Sequence, residues 1–448
     1  MKQLFTFSEK FIRPTFGKLF LLFWMVGASA YAQIAVPDTN FANAIRSACP
    51  TCIGSDNKLL PPAADMKGLD VSSKGIKNLE GIQGFTSLET LICITNSLTT
   101  LPPLPATLIS IYCDLNSLTS LPTLPPGLST LSCKFNKLTS LPAIPGSLTQ
   151  LAFNNNEVAA LPALPSSMIY LDATRNKLTS LPNLPTSLRY FSCTGNELTS
   201  LPSLPATLEY LSCSNNKLTA IPTLPSVLTT FYCADNLLTS LPQLPASLTQ
   251  VLNCSKNQLT TLPALPSGLK EIDCGFNSLI TLPTLPTSLS TLVAETNQLS
   301  SLPSFPASLS IVYLKNNRLL SLPALTESLY FINIQNNLLT CLPELKNSSM
   351  YLYIDADKIT CLPNIPASII VFNASSIPIP TPPVCPTNIN HPTGTVAANS
   401  YVAKEKIESV ATLSSGKTNY FATESITLKP GFVASNATTF LVEVRTCK

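Results

Sequence analysis

Leu128-Ser-Thr-Leu131-Ser-Cys133-Lys-Phe-Asn136-Lys-Leu138-Thr-Ser-Leu141-Pro-Ala-Ile-Pro145 is one unit of a pattern that returns every 20 residues from Leu88 onward. Its general form is L-x-x-L-x-C-x-x-N-x-L-T-x-L-P-x-L-P. Asn holds the same slot at positions 96, 116, 136, 156, 176, 196, 216, 236, 257, 277, 297, 317 and 337, Asp357 follows in phase, and a single residue is inserted near Leu252. A period of this length marks a stack of supersecondary units, none of which can bury its apolar side alone.

Each slot has a physical reading. Leu131 and Cys133 are two residues apart, so on a short strand they point to one side, inward, while Ser132 and Lys134 point outward. Aligned turns then give one parallel sheet. The Asn amide stands where the strand turns away and can satisfy loop backbone groups that would otherwise be buried without partners. The two Pro of each unit fix φ and remove donors, which favours an extended return segment over a helix. About fifteen turns at roughly 4.8 Å each predict a sheet on the order of 70 Å along its axis.

These residues resemble the leucine-rich-repeat signature, and the short period with L-P-x-L-P is similar to the bacterial effector-type subclass. The resemblance covers roughly Leu69 to Asn373. It implies a leucine-rich-repeat horseshoe whose single parallel β-sheet lines a concave face, with a helix-poor convex side, spanning 69–376. Residues 33–68 read as its N-terminal cap. In that cap, Val36-Pro-Asp38-Thr39-Asn40-Phe41-Ala-Asn-Ala-Ile45 predicts a short helix capped by Asp38 or Thr39.

Outside the array, residues 1–32 read as a signal peptide. Lys2, Lys10, Arg13 and Lys18 precede the apolar run Leu19–Val26 and the small-residue site Ala30-Tyr31-Ala32, and the run is too short to span a membrane. Export to an oxidising compartment follows. The Pro-rich stretch 377–398 reads as a linker. In 399–448, Tyr401-Val-Ala-Lys-Glu-Lys-Ile407 recurs as Tyr420-Phe-Ala-Thr-Glu-Ser-Ile426, which predicts a small all-β module. Ser425-Ile-Thr-Leu-Lys-Pro-Gly431-Phe432 resembles the coat-hanger-stack modules of bacterial surface proteins.

Eight of the 14 Cys, at positions 93, 113, 133, 193, 213, 233, 254 and 274, share one inward slot that other turns fill with Phe153, Ala173, Leu314 or Ile334. A slot that accepts Phe and Ile is an apolar core slot, and no His accompanies the thiols, so neither a metal site nor a cofactor is expected. The remaining six are disulfide candidates: Cys49 with Cys52 in the cap, Cys341 with Cys361 one repeat apart, and Cys385 with Cys447 around the C-terminal module.

Catalysis has little to stand on. His391 is the only His, and the outward carboxylates Glu271 and Asp273, with Asp235, read as a solvated surface. Effector-type relatives that are ubiquitin ligases carry a large catalytic domain after the repeats, whereas about 70 residues follow the repeats here. With 27 basic and 24 acidic residues dispersed along the chain, no counterion-release footprint for nucleic acid is present. Recognition by the concave face remains. Tyr170, Tyr190 and Tyr210 occupy one outward slot on three successive turns. Tyr112, Tyr232, Tyr313, Tyr351 and Tyr353 add further outward rings, and Arg175 and Arg189 flank the Tyr run as anchors for an acidic or planar group. Three readings stay open: a protein-binding module for adhesion or host or cell-surface interaction, a glycan binder that stacks sugars on the Tyr ladder, and a structural envelope component in which the stacked Tyr only brace neighbouring strands.

Overall fold

A computed structural model describes residues 34–347, 349–355 and 359, together with the backbone of the strands between Ile370 and Val444. The expected signal segment lies outside the described residues. The chain enters through helix α1 (Thr39–Ala48), which buries Phe41, Ala42, Ala44 and Ile45. Asp38, not Thr39, is the N-cap: its Oδ1 accepts from the Phe41 N–H at 3.0 Å, satisfying one of the orphan donors of the first turn. Its Oδ2 accepts from the N–H groups of Lys77 (2.8 Å) and Asn78 (3.0 Å), so one carboxylate both starts the cap helix and clamps it to the first repeat. Partial burial alone would raise the Asp38 pKa, but four backbone N–H donors outweigh it and hold the carboxyl below its ordinary 3.8.

Sixteen strands, from β1 (Gly68–Asp70) to β16 (Ile370–Asn373), follow one another in sequence order through a single parallel sheet. Registration is by repeat: Leu131 faces Ile111 on one side and Leu151 on the other. Most strands are three residues long with the central side chain buried. The one-residue insertion leaves the sheet intact, since Leu252 still pairs with Phe231 and Ile272. The inward Leu, Ile, Phe and Cys columns form one continuous core running from Val36 in the cap to Ile359. Burying an aliphatic side chain stabilises by roughly 1.5–3 kcal/mol, and here each does so only against the adjacent turns.

The Asn column is a hydrogen-bond ladder. Asn136 Oδ1 accepts from the Leu118 N–H (2.9 Å), and its Nδ2 donates to the carbonyls of Cys113 (3.0 Å), Cys133 (3.1 Å) and Lys134 (3.1 Å). Asn176 and Asn317 repeat the arrangement. Each amide therefore sews its own turn to the preceding one at the point where the strand ladder ends.

Two further columns, without a signal in the Leu-Cys-Asn pattern, complete each turn. A hydroxyl two residues after the second Pro links turns on the return side: Ser147 Oγ donates to the carbonyls of Pro126 (2.8 Å) and Leu128 (2.7 Å), and Thr207 does the same toward Thr186 and Leu188. The residue before each ladder Asn is left-handed, with φ of 52° at Phe135 and 58° at Asn155, and only Gly195 among these lacks a side chain. The Leu-Pro-x-Leu-Pro segments contain neither helix nor strand, and each closes with a turn such as Leu148 N–H to Pro145 carbonyl at 3.1 Å.

Nine more strands, β17 (Asn388–His391) to β25 (Thr438–Val444), form three parallel sheets of three strands. Tyr401 is paired with Tyr420 and Ile407 with Ile426, the same residues that the 19-residue repetition aligns. These strands begin at Asn388, inside the 377–398 stretch read as a linker.

Candidate functional site

Three strands set the central feature. β6 (Tyr170–Asp172), β7 (Tyr190–Ser192) and β8 (Tyr210–Ser212) pair in register, Tyr170 opposite Tyr190 and Tyr190 opposite Tyr210. Because the middle residue of each strand is committed to the core, the Tyr before it points out of the sheet. Strand spacing is near the stacking distance of aromatic rings, and the three rings use it: centroids are 4.3 Å apart and planes 10° apart at both steps. On β9 (Thr230–Tyr232) the ladder shifts to the other outward slot, with Tyr232 tilted 47° against Tyr210 at 5.8 Å.

This geometry decides what the rings can offer. Tyr190 has a neighbour on each face, so the ladder presents edges and hydroxyls and leaves faces only at its two ends. Burial, then the fields of Tyr210, Tyr170 and Asp172, push the Tyr190 hydroxyl far above its ordinary pKa, and burial followed by Asp172 does the same more mildly for Tyr170. The row is therefore neutral, pre-organised and hydrogen-bonding. Below it, Ser192 and Ser212 occupy outward slots yet are buried, and their hydroxyls pair with Thr174 (2.7 Å) and Thr194 (2.6 Å).

The other expected contact residues divide. Tyr313, on β13 (Ile311–Tyr313), and Tyr353, on β15 (Tyr351–Ile354), are not isolated: Phe331 on β14 (Phe331–Asn333) lies between them, 4.7 Å from Tyr313 and 5.3 Å from Tyr353. Phe331 has only its slot to mark it in the sequence: counted past the insertion, it falls in register with Tyr351. Tyr112, on β3 (Ser110–Tyr112), stands half-buried far from both clusters. Arg175 is exposed in a left-handed exit turn at φ 52°, beyond the strand. Arg189 immediately precedes Tyr190 and is ion-paired to Glu209, so its guanidinium already has a carboxylate partner. Asp273 is drawn into the turn after its strand, accepting from the Gly275 N–H at 3.0 Å; burial raises its pKa despite that bond.

All eight in-slot Cys are buried and unbridged. Burial pushes the Cys93 and Cys213 thiols up to about 12, which makes them poor nucleophiles and poor metal ligands. Among the described residues no group of three His, Cys, Asp or Glu side chains is placed to hold a metal ion. Cys49 and Cys52 sit at disulfide distance, with Cα atoms 5.3 Å apart. Cys341 is exposed, and Cys361, Cys385 and Cys447 lie outside the described residues. No described helix is long and apolar enough to cross a membrane.

The solenoid with its Asn ladder places the chain among the leucine-rich-repeat proteins, to which it belongs. The leucine-rich effector protein YopM from Yersinia pestis is 32% identical, with a TM-score of 0.60 over 75% of this chain and 99% of that one. The functional domain of InlJ from Listeria monocytogenes, described as including a cysteine ladder, is 25% identical with a TM-score of 0.63, covering 81% of each chain. YopM from Yersinia enterocolitica WA-314 is 25% identical with a TM-score of 0.52 over 85% of this chain and 92% of that one. No family model and no curated protein matches the sequence. Structural neighbours of this kind support a general protein-interaction role.

Proposed function

We propose that the chain is an exported, non-catalytic recognition protein that binds a protein ligand on the outward face of its sheet, in adhesion or in host or cell-surface interaction. One observation carries the reading: the Tyr170–Tyr190–Tyr210 stack, extended by Tyr232. Stacked rings lose little rotamer freedom when a partner docks, and they combine a large contact area with hydroxyls that both donate and accept, the properties that enrich Tyr at interfaces. Tyr313, Phe331 and Tyr353 supply a second aromatic group on the same face, Tyr112 an outlying ring, and Arg175 and Arg189 lie at the margins of the stack. Export rests on the sequence of residues 1–32, and an oxidising destination suits a Cys49–Cys52 bridge in the cap.

The glycan reading has weaker physical support, because sugar stacking needs open ring faces and those of Tyr190 are covered. Pull-down with the exported chain tests the choice. Replacing Tyr170, Tyr190 and Tyr210 together by Ser abolishes capture of the protein ligand, and added soluble glycan leaves it unchanged. Undiminished capture by the triple variant refutes the proposal and leaves the stack a brace between strands.

A further inference from the structure

The outward strand positions carry a charge asymmetry that the whole chain does not. From β1 to β15 each strand offers two such positions, and the charged residues found there are Asp70, Asp172, Glu271 and Asp273, with no Lys, Arg or His. The chain as a whole is formally +3. The cations nearest to these positions stand just outside the strands: Arg189 and Lys270 precede theirs, Arg175 and Lys256 follow theirs in the turns, and Lys134 and Lys315 share the next outward slot with Asp114 and Glu295. Arg189 is further neutralised by Glu209.

The carboxylates and rings are neighbours. Asp172 belongs to the same strand as Tyr170, and its field reaches the hydroxyls of both Tyr170 and Tyr190. Glu271, on β11 (Glu271–Asp273), is exposed and its field reaches Tyr232 at the other end of the ladder. Asp172 Oδ1 accepts from the Thr174 N–H at 3.1 Å, which orients the carboxylate. A hydroxyl row with a carboxylate near each end offers acceptors throughout, and no cation stands in the strand slots between Asp172 and Glu271.

We propose that this face docks a basic segment of its protein partner, with Arg or Lys side chains reaching the Asp172 and Glu271 carboxylates and its backbone or polar groups meeting the Tyr hydroxyl row. The proposal rests on the protein-binding reading above and names the chemistry of the partner. Arg is favoured over Lys, because its planar fork meets a carboxylate through two hydrogen bonds and can stack on the end rings.

The test is fluorescence anisotropy of the full chain with three fluorescein-labelled octapeptides in which Gly alternates with Arg, Lys or Glu. Residues 1–32 carry four of the basic residues and one acidic residue, so the exported chain is formally neutral; it has little general attraction for either charge, and the Glu peptide controls for what there is. The Arg peptide is expected to bind, the Lys peptide more weakly and the Glu peptide not at all. Asp172→Asn, which keeps the acceptor for Thr174, and Glu271→Gln each weaken Arg-peptide binding by about fivefold, whereas Glu344→Gln, outside the strands, leaves it unchanged. Absence of Arg-peptide binding, equal binding of the Glu peptide, or indifference to both face variants overturns the proposal. If the partner captured through the Tyr stack is insensitive to Asp172→Asn and Glu271→Gln, the basic-segment inference fails while recognition by the face stands; loss of neither capture nor Arg binding in the Tyr variant removes both.

Discussion

Replacing Asn136 by Ala removes four hydrogen bonds from one amide that is only 9% exposed. The Leu118 N–H, itself buried, loses its acceptor, and the carbonyls of Cys113, Cys133 and Lys134 lose a donor. An orphaned buried polar group costs about 1–3 kcal/mol. The N–H counts nearly in full; the carbonyls count for less, since water can reach the Lys134 side of the turn. A total near 3 kcal/mol is expected, roughly a hundredfold in the local opening equilibrium. Because repeats are coupled to nearest neighbours, the loss is local before it is global. Native-state hydrogen exchange should show the Leu118 amide exchanging about a hundredfold faster, while the Leu238 amide, held by Asn257 Oδ1 at 3.0 Å, keeps its protection. If Leu118 exchanges as slowly in Asn136→Ala as in the parent and the urea midpoint does not move, the Asn ladder does not join the turns.

Thiol labelling checks the core: with native protein at pH 8, iodoacetamide should leave the eight in-slot Cys unreacted, since burial pushes Cys93 and Cys213 up to about 12, and full labelling without denaturant contradicts it. Leu131→Ala, in a fully packed column, should destabilise by roughly 2–5 kcal/mol, read as a lowered urea midpoint. Tyr190→Ala breaks two stacking pairs at about 0.5–1.5 kcal/mol each, about 1–3 kcal/mol together, so a stability loss well above about 3 kcal/mol means the ring braces more than its neighbours. The Asp38 carboxyl is held below its ordinary 3.8 in the folded cap, so its contribution is complete above that value and lost as pH falls through the lower, folded pKa. Asp38→Asn should therefore weaken the cap by about 1 kcal/mol at neutral pH and flatten the acid limb of its melting profile; an unchanged acid limb assigns that limb to other carboxyls.

Much of this molecule was legible from its periodicity. The 20-residue spacing of Leu131, Cys133 and Asn136 is enough to define a coil, its inward columns and the register of a parallel sheet, because a stacked repeat contacts only its neighbours and every slot is solved once for the whole array. Burial of the thiols followed from Phe153 and Ile334 sharing their slot. What remained hidden depended on direction and distance. That Tyr190 is covered on both faces follows from strand spacing meeting ring thickness, and it changes what the ladder can bind. That Arg189 is spent on Glu209, that Phe331 completes a second aromatic group, and that Asp38 serves two elements at once all join residues whose separation in sequence carries no local signal. A repeating pattern thus fixes the fold because backbone and core obey one rule at every turn; the outward side chains differ from turn to turn, and only their packing in space decides which surface they make.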